Sequence, residues 1–266
     1  MTYEYIRYEV EDPVATITLD RPEKLNALTY PMLAEIRQAV DGAAADPAVV
    51  GIVITGNGRG FCAGLDSAAL AEVTSTGGAN RAATGAGELP GLFSYFLRTP
   101  KPIVGAVNGV AAGGGLVLAA MCDVRLAATT ASFTTIFLKR GLIAEHGMTW
   151  VLPRVLGPGR ALDLLWTSER IDAARALEVG LVEYVFEAEK LVGEAKQYIR
   201  RIAASSAPRT IAETKELVYR HMGTGYEEAL READTVQWAA VARPDATEGA
   251  RALLEKREPQ FERLGR

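Results

Sequence analysis

The chain has 266 residues, with 29 Lys plus Arg against 33 Asp plus Glu and a formal charge of −4. At this length roughly 70% or more of the unfolded chain's surface is expected to be buried on folding, enough for a sizeable core. Charged residues at 23% and apolar residues at 48% exclude global disorder, and the acidic balance disfavours nonspecific nucleic-acid binding.

The start, MTYEYIRYEVED, lacks a basic stretch followed by an apolar one and does not read as a secretory signal. Strands are predicted over 5–10 and 15–19, joined by a turn at Asp12–Pro13, with Thr16 and Thr18 alternating with apolar neighbours. Leu33, Ile36, Ala39, Val40 and Ala43 recur at helical spacing, which predicts a helix over 31–44 capped by Thr29. VVGIVITG (49–56) is nearly all apolar, the pattern of a strand covered on both faces in an α/β layer. Residues 74–88, TSTGGANRAATGAGE, form a low-complexity stretch expected to be a loop, mobile or ordered only by a ligand. Apolar positions 89, 92, 93, 96 and 97 predict an amphipathic helix.

Residues 102–122 carry no charge, long enough to raise the question of a membrane span. Asn108 and five glycines interrupt the run, so it reads as a buried strand, a glycine turn and a buried helix. VRLAAT and the residues around Phe133 predict short strands. Helices follow over 159–166 and 172–179, the second capped by Asp172 and closed by Gly180 before the strand LVEYVF. From about 187 to 258 the pattern is helical, so the expected division is an α/β core over 1–200 and a helical region over 201–266. Cys62 and Cys122 read as buried free thiols, and the two histidines, His146 and His221, make no metal signature.

Two strand-to-glycine turns carry the chemical signal: Phe61-Cys62-Ala63-Gly64-Leu65-Asp66, and Asn108-Gly109 through Gly113-Gly114-Gly115. Glycine allows close backbone approach, and amides at a helix start point at an oxygen that becomes negative. On glycines alone, two close-packed turns explain the pattern as well. Neither segment matches the GxGxxG or GxxxxGK[ST] phosphate-binding patterns.

In order along the chain, NAL (26–28), ITGNGRGFCAGLDS (54–67), KPIVGAVNGVAAGGG (101–115), MCD (121–123) and LVEYV (181–185) resemble the enoyl-CoA hydratase/isomerase, or crotonase, family. The resemblance runs from near residue 5 to about 258. It implies an α/β crotonase (ClpP/crotonase-like) fold of repeated ββα units forming a spiral core, with a C-terminal helical region that builds homotrimers, two of which stack into a hexamer. It further implies an acyl-CoA thioester substrate, no metal and no cofactor beyond the CoA moiety, while the start of the chain, the interrupted apolar run and the acidic balance lead to the expectation of a cytoplasmic protein without membrane insertion or a nucleic-acid partner. Carried onto this chain, the amides of Leu65 and Gly114 form an oxyanion hole for the thioester carbonyl. CoA falls to Arg21, Lys24, Ala27, Ala63 and Lys256, with Arg59 and Arg257 as weaker candidates. The acyl pocket falls to Leu65, Ala68, Leu70, Phe93, Phe96, Val117, Phe137, Leu142 and Trp150, while Asp66 and Asp123 are structural.

The acids depart from the family's hydratase pattern, whose two glutamates match Val117 and Phe137 here. Neither side chain can deprotonate water or supply a proton. The nearby acid is Glu145 in GLIAEHG, where single-carboxylate isomerases of the family place a Glu or Asp. One carboxylate suffices to move a proton from C2 to C4, and an apolar wall that excludes water favours the shuttle. Glu145 is therefore expected to act as the base, buried beside Val117 and Phe137, with His146 in possible support. Read without the resemblance, a Glu before His-Gly is a surface residue or a helix cap. Enoyl-CoA isomerase is the leading reading. The alternatives are an enoyl-CoA hydratase, an acyl- or aryl-CoA hydrolase or dehalogenase using Glu145 as nucleophile, and a CoA-binding or scaffolding trimer without catalysis.

Overall fold

The computed structural model describes residues 2–75 and 89–265, so most of the expected low-complexity loop lies outside the described residues. Strand β1 (Ile6–Glu11) pairs antiparallel with β2 (Val14–Leu19). Beyond Ile6, β1 has no fully buried residue and is the sheet edge, whereas Val14, Ala15, Ile17 and Leu19 of β2 are completely enclosed. The Thr29 hydroxyl accepts from the Met32 amide and starts α1 (Tyr30–Ala45), which buries Met32, Ile36, Ala39, Val40 and Ala43 as one apolar stripe. Lys101 closes the other end of α1 by donating to the carbonyls of Ala43 (2.9 Å) and Asp46 (2.5 Å). Burial lowers the Lys101 ammonium to about 8, although Asp46 nearby opposes the shift.

The repeat then becomes explicit. β3 (Gly51–Gly56), β4 (Gly60–Cys62) and α2 (Ser67–Ser75) form the first ββα unit, and β5 (Ile103–Val107), β6 (Val110–Ala112) and α3 (Gly114–Met121) the second. A third begins with β7 (Val124–Ala128) and β8 (Ser132–Thr134) and reaches α4 (Met148–Leu156). The first strand of each unit joins one sheet and the second joins another. With α5 (Pro158–Thr167), β9 (Ile171–Asp172), α6 (Ala173–Val179) and β10 (Tyr184–Phe186) added, the sheet orders are β1-β2-β3-β5-β7-β10 and β4-β6-β8-β9. From β2 onward the larger sheet is parallel, which requires cover on both faces. Helix α7 (Leu191–Ser205) covers one face, packing Leu191, Ala195 and Ile199 on Val53, Val104 and Leu126. The contact is close enough that a Cβ on Gly51 would lie 2.4 Å from Ile199 Cδ1. Together these elements are the repeated ββα units of an α/β core that the resemblance leads one to expect.

Asp172 accepts from the Arg175 amide at 2.8 Å and Gly180 (φ +82°) closes α6, as the sequence predicts. The amphipathic helix predicted over 89–97 is absent. Gly91 adopts φ +120° and Phe93 sits at φ −135°, both outside the helical region, so only the 3₁₀ turn Ser94–Arg98 forms. The expected division at residue 200 falls inside α7. Helices α8 (Pro208–His221), α9 (Tyr226–Val241) and α10 (Pro244–Glu255) follow. Among the described residues, no helix is long and apolar enough to cross a membrane.

Asp123 ties α8 to the sheet. It accepts from the Ile103 amide (2.7 Å), the Lys215 ammonium (2.6 Å) and the Tyr219 hydroxyl (2.8 Å), and this structural role matches the expectation. Removing the carboxylate leaves a mostly buried ammonium and a hydroxyl without their partner. Asp123→Ala is therefore expected to lower the unfolding free energy by about 3–5 kcal/mol, measured by urea denaturation followed by circular dichroism.

Candidate active site

The two glycine turns meet. After β4 the Leu28 amide donates to the Gly64 carbonyl (2.7 Å) and the Asp66 amide donates to the Leu28 carbonyl (2.9 Å), so Leu65 is held between two ladder bonds. Gly64 adopts φ +93°, and a Cβ there would lie 2.7 Å from the Ala112 oxygen and 3.2 Å from the Gly114 nitrogen. Conversely, a Cβ on Gly114 would lie 3.6 Å from the Leu65 nitrogen. The amides of Leu65 and Gly114 are thus neighbours, and among the described residues no acceptor stands against either. Gly114 opens α3, whose dipole adds positive potential at that end. Gly115 has the tightest contact: a Cβ would lie 1.9 Å from the Cys62 oxygen, so only glycine lets α3 begin there.

Two asparagines hold the strand turns beneath this pair. Asn26 donates to the carbonyls of Asn57 (3.0 Å) and Gly60 (2.8 Å) and accepts from the Arg21 amide (2.9 Å). Asn108 donates to the Gly58 carbonyl (2.9 Å) and accepts from the Gly56 amide (3.1 Å). Sequence reasoning assigned neither a role, although each marks a motif, NAL and NG; the missing signal is the distant carbonyls each amide reaches only in the folded chain. Asp66 accepts from the Ala68 amide (3.1 Å) and from both terminal nitrogens of Arg21 (3.3 Å each). The Ala68 amide, and after it Arg21, hold the Asp66 carboxyl below the usual carboxylate range against the opposing effect of desolvation. Its expected structural role is met.

Val117 lies about one turn into α3 and is fully buried. Phe137 is also buried, and its neighbour Ile136 reaches within 3.2 Å of the Cβ position of Gly113. Both positions that match the hydratase acids are therefore buried and apolar. Glu145 precedes α4 in a turn shaped by His146 (φ +56°) and Gly147 (φ +83°), and its carbonyl accepts from the Met148 amide (3.2 Å). The turn lies against α3, since a Cβ on Gly147 would meet Met121 Cε at 3.0 Å. The expected burial of Glu145 is not found: its side chain is 42% exposed. Ala144 and Met148 take the buried positions on either side, and the carboxylate keeps its water, because an unpaired buried charge is costly. His146 Nε2 stands 3.6 Å from the Glu145 carboxylate.

The enoyl-CoA hydratase/isomerase family model matches residues 9–264. The chain belongs to that family. It is 36% identical to a crotonyl-CoA hydratase of Syntrophomonas wolfei over 98% of this chain and 99% of the relative. It is 35% identical to a 1,2-epoxyphenylacetyl-CoA isomerase of Escherichia coli K12, over 97% and 98%. A solved enoyl-CoA hydratase from Bacillus anthracis superposes with a TM-score of 0.88 at 28% identity, over 97% of this chain and 99% of that one. The protein is thus an acyl-CoA enzyme of the crotonase fold, and these names span more than one reaction.

Within this enoyl-CoA hydratase/isomerase framework the expected CoA residues divide. Lys24 is exposed at the end of the 3₁₀ turn Pro22–Lys24, and the Ala63 carbonyl has no donor among the described residues. The Ala27 carbonyl instead accepts from Arg21 at 2.6 Å. Lys256 is exposed where α10 ends, and Arg257 is bound to Glu248 and Glu255. Of the expected acyl-pocket residues, Phe93 and Phe96 are fully buried with rings 5.4 Å apart, Leu65, Leu70, Leu142 and Trp150 are half-buried, and Ala68 is exposed on α2. A cavity of about 890 Å³ lies elsewhere, between β5 and the helices α7 to α10, and none of these residues lines it. Cys62 and Cys122 are buried free thiols, as expected, and burial pushes the Cys62 thiol up to about 12. Among the described residues no group of three His, Cys, Asp or Glu side chains is placed to share a metal ion.

Gly64→Ala tests the amide pair directly. A methyl group 3.2 Å from the Gly114 nitrogen crowds the space between the donors, on a backbone that disfavours any side chain. Turnover of an enoyl-CoA thioester is expected to fall by about 10²-fold or more in steady-state assays, with a thermal melt confirming that the variant is folded.

Proposed function

We propose that this protein is an enoyl-CoA isomerase that moves a double bond by a single-glutamate proton shuttle. The Leu65 and Gly114 amides bind the thioester oxygen, Glu145 takes a proton from C2 of a 3-enoyl-CoA, and the dienolate recovers it at C4 to give the 2-enoyl-CoA. The observation that carries the reading is the neighbouring amide pair, together with the buried, apolar Val117 and Phe137 at the positions where two-acid hydration needs carboxylates. His146, 3.6 Å away, supports Glu145, and the CoA phosphates are met by Lys24 and Lys256. Hydration of a 2-enoyl-CoA is the second reading, favoured by the water-accessible Glu145 carboxylate and by the name of the Syntrophomonas relative.

Mass spectrometry of wild type and Glu145→Gln, offered 3-enoyl- and 2-enoyl-CoA in deuterated water, separates the two. Double-bond migration that falls by about 10²–10⁴-fold in the variant supports the isomerase. Gain of water on the 2-enoyl substrate, with no migration, overturns it.

We further propose a homotrimer, alone or stacked as a hexamer. Helix α9 has no fully buried residue, and its exposed Tyr226, Leu230, Trp238 and Val241 fall within an arc of about 120° at 3.6 residues per turn. Light scattering is expected to give a trimeric or hexameric mass that drops in Trp238→Glu. A monomeric wild type overturns the assembly.

A further inference from the structure

We infer that Arg21 is a positioning residue of the oxyanion hole, clamping the two chain segments that present the Leu65 amide, and is not a ligand for CoA phosphate. The inference rests on the reading of that amide as an enolate-stabilising donor. Arg21 is expected from the resemblance among the CoA-binding residues, but its guanidinium is already engaged. One terminal nitrogen donates to the Ala27 carbonyl at 2.6 Å, and both reach the same Asp66 oxygen at 3.3 Å. The Arg21 and Asp66 side chains are each only 17% exposed, and the guanidinium carbon lies 6.0 Å from the Tyr5 ring centroid.

The two anchors decide what this engagement does. Ala27 immediately precedes Leu28 and Asp66 immediately follows Leu65, and Leu28 and Leu65 are the bridged pair. Inside the bridge, the Leu28 amide bonds Gly64 and the Asp66 amide bonds Leu28; outside it, Arg21 ties Ala27 to Asp66. The Arg21 backbone is itself pinned, its amide on the Asn26 side chain and its carbonyl accepting from the Asn26 amide, each at 2.9 Å. A fork with fixed geometry suits this task, because it holds a carbonyl and a carboxylate at once. The charge matters too. Asp66 is the residue next to the proposed donor, and its carboxylate, if unpaired, opposes negative charge developing on the thioester oxygen. Arg21 cancels that charge where it arises.

The test compares a full enoyl-CoA with the pantetheine thioester of the same acyl group, which lacks the nucleotide phosphates. In Arg21→Met, kcat is expected to fall by about 10- to 100-fold on both substrates alike, since misplacing one donor does not depend on the nucleotide. An aryl-conjugated enoyl-CoA, whose absorption moves to the red as its carbonyl is polarised, should bind the variant with a smaller red shift. Arg21→Lys should recover less than half of the lost shift, having no planar fork. Arg21→Met with Asp66→Asn should be no worse than Arg21→Met alone, because the two act as one unit. A loss confined to the CoA thioester and expressed in KM makes Arg21 a phosphate ligand and overturns the clamp. An unchanged kcat and red shift in a folded variant also overturns it. If Arg21→Met does not fold, Arg21→Lys and Asp66→Asn carry the same comparison. Wild type that shifts the chromophore without moving a double bond defeats the proton shuttle while leaving the clamp to be judged on the spectra.

Discussion

The candidate site depends on one close approach, the start of α3 against the end of β4. Backbone meets backbone there without an intervening side chain, at Gly115 on Cys62 and at Gly64 on Ala112 and Gly114. The approach carries both consequences needed for chemistry on a carbonyl. It brings two amides from distant parts of the chain side by side, and among the described residues it leaves them without an acceptor. Donors fixed before the substrate arrives need no reorganisation when charge develops. The buried Asn26, the partly buried Asn108 and the Arg21–Asp66 pair keep the facing segments from relaxing apart.

Elsewhere two largely enclosed charged groups, Lys101 and Asp123, are resolved by pairing. Lys101 is almost wholly enclosed, yet it answers two carbonyls that α1 leaves open at its C-terminus. Asp123 collects an amide, an ammonium and a hydroxyl, which fixes α8 to the sheet through Lys215 and Tyr219. Glu145 behaves differently, since its neighbours bury themselves and its carboxylate stays wet.

The same contrast separates what could be read along the chain from what could not. Strong periodicity in α1, the apolar run of β3, and the caps at Thr29, Asp172 and Gly180 were legible because each depends on a few neighbouring residues. The segment 89–97 misled because its apolar spacing is helical while Gly91 and Phe93 take backbone angles that a helix excludes. Arg21 looked like a free cation for a phosphate because its partners, Ala27 and Asp66, lie on opposite sides of a bridge that forms only in the folded chain.

The sequence by itself determined the repeated strand-turn-helix order and the two glycine turns, and its resemblance to the family marked Val117 and Phe137 as standing where hydratases carry acids. These are properties of residue type and spacing, and folding does not alter them. Only the tertiary structure decided that the Leu65 and Gly114 amides are neighbours, that Arg21 is spoken for by Asp66, and that Glu145 faces water. Each of those depends on segments far apart in the chain meeting at a particular register, and local pattern carries no information about which partner a buried polar group will find.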